Sequence, residues 1–490
     1  MRRRTFVKSA VATGVVAVLP GCGRSTPGQS TSSALAAVKS NGDATSLQSA
    51  VVREFADELY GTLYLPTDAG YDAVRKVWNG MIDKEPALIA QCASVTDVQS
   101  AVTFARDHEL LVAVRGGGHS YPGKSTCDGG LMIDLSKLHA VEIDPDARTA
   151  TVEGGALLGH LDTASLGHGL ATTTGIVSHT GVGGFTLGGG MGRLDRMHGL
   201  AVDNLLAATI VTADGQIIRA SDDENADLLW ALRGGGGNFG VVTEFVYRLH
   251  PFAGTVYGGY LEYPMGQATE IMSRLAELEP ALPDAARVEP YLYVADGERI
   301  FGVTVSYMGD PATGESVVAP IVNMAKPAHN SLDTGSYSAW QTMLDGQLGH
   351  GQLNYLKSGF INELTPQFID AFVGNFDAET LPNVWFQHLG GATSRIDGDS
   401  TAFAHRNVAF NLGIDSVFTD PAETEDRIAA VRRYYEAMAP FMQGYYTNLN
   451  EEGAGKTKGN YGPNYARLAD LKAKYDPGNL FRLNANIEPA

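Results

Sequence analysis

Three glycine-rich segments and one histidine carry most of the chemistry legible in this sequence. The segments are VRGGGHSYPG (114–123), HTGVGGFTLGGGMG (179–192) and WALRGGGGNFGVVTEF (230–245). Successive glycine N–H groups, unencumbered by side chains, form concavities that hold anions. Three such runs, each beside a strand-like stretch, suit a long ligand with a pyrophosphate; tight turns alone are the competing reading. None matches GxxxxGK[ST], which excludes a P-loop, and a G-x-G-x-x-G spacing arises by chance in runs like these. His119 stands directly after Gly116-Gly117-Gly118, at the end of the apolar run LLVAVR (110–115). A lone histidine usually has no special role. Here the imidazole is displayed at the edge where backbone approaches the ligand.

A second group of interest is GYYTNLN (444–450), where Tyr445 and Tyr446 stand beside Asn448. A tyrosine has an ordinary pKa of about 10, so to act as a base it needs a neighbour that favours phenolate. An aromatic pair packing an interface is the alternative. No HExxH and no His/Cys cluster with metal-ligand spacing occurs, so no metal site is expected. No GxSxG elbow marks a serine hydrolase.

The elements that position these residues alternate between strand and helix over 87–250. ALIAQ is strand-like, Thr96 is placed as a helix N-cap, and Val98, Ala101, Val102 and Ala105 share one helical face behind it. GLMIDLS, AVEIDP and TATVEGG read as short strands with turns between them. Beyond His250-Pro251 the glycine density falls. Longer strands (RIFGVTVSYMG, NVWFQHLGGA) and the amphipathic AETEDRIAAVRRYYEAM then predict an α+β lobe with an antiparallel sheet over 254–443. The last stretch, 444–490, is again rich in Gly, Asn and Tyr and is expected to return to the first lobe.

With 490 residues the chain suits two lobes, and 44% hydrophobic against 19% charged residues is an ordinary globular balance. A net charge of −19 argues against nucleic acid and anionic lipid as partners. The N-terminus reads as an address. Arg3-Arg4-Thr5-Phe6-Val7-Lys8 resembles a twin-arginine export signal, and the apolar run Val7–Leu19 is short for a membrane span. Two endings are compatible with it: a lipoprotein box at Leu19-Pro20-Gly21-Cys22, with Cys22 as lipid anchor, or cleavage at Ala34-Leu35-Ala36. A Ser/Thr/Gly/Ala-rich flexible tether is expected to about residue 48, leaving 49–253 as the first lobe. Cys92 and Cys127 are read as small buried hydrophobes, with a disulfide as the alternative.

The elements RGGGHS, TGVGGFTLGGG and GGGNFG, together with YGPNYARLADLKAKYDPGNLFRLNANI (461–487), resemble the berberine-bridge-enzyme-like FAD-linked oxidases. These belong to the wider superfamily of vanillyl-alcohol oxidase and p-cresol methylhydroxylase (PCMH). The resemblance implies a flavoenzyme with a PCMH-type FAD-binding lobe, and a second-lobe sheet roofing the isoalloxazine; the N-terminal signal adds the expectation of export. His119 is implied as the covalent link to the flavin 8α-methyl group. Implied FAD contacts are Arg115, Gly116, Gly117, Gly118 and Ser120 in the first run, and Gly175, His179, Thr180, Gly183, Gly184, Gly188 and Gly189 around the second. Gly240, Val242, Asn448 and Asn484 complete them. Many relatives add a cysteinyl link at the position occupied here by Val177, so a single link is expected. Tyr446 is implied as the catalytic base, with Tyr445 as understudy. Met191 stands where some relatives carry a second tyrosine, and Asn450 replaces an aspartate; both departures tell against a two-tyrosine mechanism. Asp203-Asn204 matches a family segment but is read as stabilising a turn. The implied reaction oxidises an alcohol, carbohydrate or secondary metabolite by hydride transfer to FAD, with O₂ or another acceptor taking the electrons. A flavin carrier without turnover is the other reading.

Overall fold

The computed structural model describes residues 34–295, 297–376, 382–449 and 454–490. The export signal, Cys22 and Asn450 lie outside these residues. The chain is an α+β structure whose first lobe is built on two main sheets. Strands Thr62–Tyr64, Leu88–Gln91, Leu131–Asp134 and Val112–Arg115 form the smaller, in that spatial order. Leu131–Asp134 is parallel to both Leu88–Gln91 and Val112–Arg115. Helix Val95–Asp107 makes the crossover between two of these strands, burying Val98, Ala101, Val102 and Ala105 on one face. Its cap is Ser94, not Thr96: the Ser94 hydroxyl accepts the Asp97 N–H at 3.1 Å. Asp97 in turn accepts from Tyr60, Gly61 and Ala93, so the acid three residues on selects the start and leaves Thr96 inside the first turn.

The larger first-lobe sheet is antiparallel and runs through Ile217–Ser221, Leu205–Val211, Val241–Arg248, Thr149–Glu153 and Val141–Asp144. The second lobe is built on an eight-stranded antiparallel sheet that begins at Thr255–Pro264. Helices Ala268–Leu278, Pro366–Gly374 and Thr424–Met438 cover one face of it, around Phe301, Phe368, Phe372, Phe386 and Phe410. That leaves the other face of the sheet turned towards the first lobe.

The expected tether ends early. Leu35–Val38 and Ala44–Leu47 pair as an antiparallel hairpin whose Ala37 and Leu47 are buried with Phe55. The alternative cleavage site Ala34-Leu35-Ala36 therefore overlaps the start of a paired strand. Small apolar residues alternating around a Gly42 turn (φ +91°) account for the pairing. Cys92 and Cys127 are free and buried. The C-terminal helix Tyr465–Tyr475 packs Leu468 and Leu471 into the first-lobe core. Buried Lys472 fixes it there, donating to Asp476 (2.6 Å) and to the carbonyls of Asn238 (2.6 Å) and Phe481 (3.0 Å).

Candidate functional site: a glycine-floored cavity between the lobes

The three glycine runs converge on one cavity of about 760 Å³. The first two cross backbone to backbone. A Cβ at Gly117 would sit 2.3 Å from the Gly181 nitrogen, and one at Gly181 would sit 2.2 Å from the Gly117 nitrogen. At Gly188 a Cβ would collide with the Asn448 side chain at 2.0 Å, so glycine there is what lets Asn448 lie across the run. In the third run, the Gly237 carbonyl accepts from the Asn484 amide at 2.8 Å, tying the C-terminal tail to the floor.

Of the expected cofactor residues, Gly116, Gly117, Gly118, His119 and Ser120 line the cavity, as do Gly175, Thr180, Gly183, Gly184 and Gly188, and also Gly240, Val242, Asn448 and Asn484. Three do not. Arg115 turns away to pair with buried Asp134 at 2.6 Å and to the Val74 carbonyl, bracing two parallel strands. Gly189 (φ +127°) is a glycine because a Cβ would strike the Phe403 ring at 2.8 Å. His179 does not line the cavity but stands behind His119, to which it hydrogen-bonds.

His119 is held by two aromatic contacts. Its ring stacks on Trp78, with centroids 4.3 Å apart and planes 18° apart. Its Nε2 lies 2.6 Å from His179 Nδ1, one of the pair carrying the shared proton. His350 approaches His179, with ring centroids 5.1 Å apart. Burial, reinforced by His179 and then His350, pushes the His119 pKa down to about 2, so its imidazole stays neutral and keeps a nucleophilic lone pair. The three histidines could hold a metal ion, their ligand atoms all lying within 4.8 Å of one another. This convergence was not visible in the sequence, where the three are far apart. The 2.6 Å contact fits a hydrogen bond, since two imidazole nitrogens on one tetrahedral ion stand roughly 3.3 Å apart.

Tyr446 is buried, and its phenol oxygen is the focus of three N–H groups. Those of Gly190 (2.9 Å) and Met191 (3.3 Å) come from the second glycine run, and the Asn448 amide donates at 2.8 Å. The other Asn448 amide hydrogen goes to the Phe185 carbonyl at 2.9 Å, which fixes that amide's orientation. Burial pushes the Tyr446 pKa up to about 12, and the three donors work against that rise. Tyr445 points elsewhere: its hydroxyl meets Thr457 at 3.1 Å and it does not line the cavity. Asp203 pairs bidentately with Arg406 (2.8 Å for each contact) and accepts the Leu200 N–H, while Asn204 donates to the His198 and Leu200 carbonyls. Both residues stabilise a turn.

The second-lobe roof was expected, but the residues that form it were not named from the sequence. Tyr260 and Glu262, then Glu289, Tyr291 and Tyr293, then Trp385 and Gln387, line the cavity from neighbouring strands of the second-lobe sheet. Their two-residue spacing places each set on one face, a signal present in VEPYLYVA and NVWFQH. Glu262 accepts from the hydroxyls of Tyr291 (3.2 Å) and Tyr293 (2.9 Å). Asp415 accepts the Trp385 indole N–H at 2.5 Å. Burial raises its carboxyl to about 6, against the pull of the Trp385 and Asn383 donors. Its pKa in the fold thus lies above the unfolded value of about 3.9. Its contribution to stability is complete below about pH 4 and is lost as pH rises through about 6, a change on the order of 3 kcal/mol. Asp415→Asn should flatten that part of the melting-temperature profile between pH 4 and 7. Identical slopes for variant and wild type would contradict this.

The FAD binding domain family matches residues 86–221, and the berberine and berberine-like family matches residues 446–488. An FAD-linked oxidoreductase of Dictyostelium discoideum is 32% identical over 446 residues, covering 90% of this chain and 97% of that protein. The (R)-6-hydroxynicotine oxidase of Paenarthrobacter nicotinovorans is 31% identical over 453 residues, covering 88% and 97%. Among solved structures, the glucooligosaccharide oxidase of Acremonium strictum, described as carrying a 6-S-cysteinyl, 8α-N1-histidyl FAD, is 25% identical. It superposes with a TM-score of 0.82 over 90% of this chain and 99% of that one. The glycine floor, the neutral His119 and the C-terminal return thus stand in a chain that belongs to the berberine-bridge-enzyme-like FAD-linked oxidoreductases.

Proposed function

We propose that this enzyme carries FAD joined by a single bond to His119 and oxidises a small organic substrate in the space between the glycine floor and the second-lobe sheet. The observation that carries the reading is the placement of neutral His119 and of Tyr446, with its three N–H donors, on one glycine-floored cavity. The residues fit the cofactor. Backbone without side chains from three runs lines the cavity, and a Cβ at Gly184 would meet nothing within 4 Å, so this glycine borders open space. When bound, FAD supplies a two-electron acceptor that takes hydride from a substrate C–H and passes the electrons to O₂, giving peroxide.

The chain's own part is positional. Trp78 and His179 hold the His119 ring, and with Nε2 engaged by His179 the nitrogen left for the covalent bond is Nδ1. Val177, not cysteine, borders the cavity, and neither buried cysteine lines it, so one link is formed. Tyr446, in its phenolate form, takes the proton of a substrate hydroxyl or similar group. The Gly190, Met191 and Asn448 donors stabilise that phenolate before the transfer. The roof residues orient the substrate.

The test is anaerobic photometry with alcohols, sugars, phenols and hydroxylated amines. One class should bleach the yellow absorbance, and admitting air should restore it with formation of one peroxide per turnover. Failure of every class to bleach it contradicts the enzymatic reading. Bleaching without recovery in air replaces O₂ with another acceptor.

A further inference from the structure

Arg193 ends the second glycine run, directly after Gly192, and lines the cavity. Only 5% of it is exposed, and its Nε has no hydrogen-bond partner. The other buried arginines nearby are paired. Arg287 holds Asp195 at 2.5 Å and Glu289 at 2.9 Å, and Arg406 holds Asp203 at 2.8 Å. Among the described residues Arg193 forms no ion pair; its one close neighbour of note is the Trp340 ring, 5.2 Å from Cζ to centroid. Glu289 is the nearest compensating charge in effect, but that carboxylate is committed to Arg287. Removing a guanidinium from water without a counter-charge costs several kcal/mol. The backbone here is nevertheless held rigidly, because Arg287 also donates to the carbonyls of Gly192 (3.0 Å) and Arg193 (3.3 Å). A buried guanidinium on a cavity wall, with no ion pair of its own among the described residues and its backbone held in place, is a binding group suited to an anion.

We propose that the substrate carries a carboxylate that seats on Arg193, so that this enzyme oxidises a small cyclic or aromatic acid. The inference rests on the reading of the cavity as an oxidase site. Although its backbone continues the second glycine run, the side-chain neighbours of Arg193 (Tyr260, Glu289 and Trp340) belong to the second lobe, on the roof side of the cavity. That location assigns its partner to the substrate. A single negative charge fits best. One guanidinium offers one bidentate seat, and Glu262, Glu289 and Asp415 on the same cavity wall would repel a phosphate dianion. Tyr260, Tyr291, Tyr293 and Trp385 provide flat apolar faces for a ring attached to the carboxylate.

Benzoate and its neutral isostere benzamide are suitable probes, titrated into the flavin-loaded enzyme by calorimetry and by perturbation of the visible flavin band. Benzoate should bind at least tenfold more tightly than benzamide. Arg193→Met should weaken benzoate at least tenfold, about 1.4 kcal/mol, and leave benzamide unchanged; Arg193→Lys should retain part of the difference. Equal affinities for the two probes in the wild-type enzyme overturn the proposal, and that comparison needs no variant to fold. Arg193→Met with unchanged benzoate affinity also overturns it. If the same variant shifts the flavin band without ligand, the guanidinium serves the cofactor instead. Flavin fluorescence at the protein band in a denaturing gel reports on the His119 link separately, so either reading can fail alone.

Discussion

Tyr446→Phe should lower kcat/KM by 10² to 10⁴-fold, the range expected when a positioned proton acceptor is removed. The argument lies in the surroundings of the phenol oxygen. Three N–H groups point at it within 3.3 Å, more than a neutral hydroxyl with its own proton to place needs, and a set that suits a phenolate. Burial works the other way and holds the pKa near 12, so at neutral pH the tyrosine is a phenol. The two effects together predict the pH profile. The phenolate fraction rises tenfold per pH unit below that pKa, so wild-type kcat/KM should climb from pH 6 to pH 9, and the climb should vanish in Tyr446→Phe. The substitution also leaves the Gly190, Met191 and Asn448 donors without an acceptor in a buried site, which should destabilise the fold by about 1–3 kcal/mol. A phenylalanine variant with unchanged rate and unchanged profile would remove Tyr446 from the chemistry and leave it a packing residue.

The second large effect is expected at His119. His119→Ala should abolish all flavin retained after denaturation, because His119 is the histidine that lines the cavity at the end of the first glycine run and no cysteine lines it to take over the link. Val177 occupies the position from which many relatives make a second link, and Cys92 and Cys127 are buried away from the cavity. The variant should still bind FAD reversibly through the glycine floor, and should lose it on gel filtration in chaotrope. His179→Ala is expected to slow incorporation without preventing it. It removes the hydrogen-bond partner that fixes the His119 ring and tautomer, while Trp78 still stacks on that ring. Fluorescent bands of equal strength in wild type and His119→Ala would place the attachment elsewhere.

How far the site could be read in the sequence follows from the distance over which each signal acts. Glycine runs and the histidine after them are local features, and the two-lobed α+β layout follows from strand and helix periodicities that tertiary contacts did not override. Tyr446 is separable from Tyr445 only by the family resemblance; in the structure Tyr446 lines the cavity, whereas the Tyr445 hydroxyl meets Thr457. Arg115 looked like part of the ligand-binding loop because it adjoins it, yet a strand alternates its side chains, and Asp134 on the adjacent strand captures the guanidinium. The meeting of His119 with His179 and His350, and the isolation of Arg193, depend on which charges do or do not arrive from the second lobe. No spacing in the chain encodes that. The roof is an intermediate case. Its alternating Tyr and Glu residues marked one face of a strand, but only the sheet order shows that the face looks into the cavity.

The covalent bond at His119 is tested most directly by mapping the flavin after proteolysis. Trypsin cuts after Arg115 and Lys124, releasing the peptide Gly116–Lys124 with His119 as its only histidine. Denatured, digested wild-type protein should yield this peptide carrying one flavin, with the fragmentation series placing the added mass on His119. An unmodified peptide, with all the yellow pigment left in the supernatant after acid precipitation, would contradict the account.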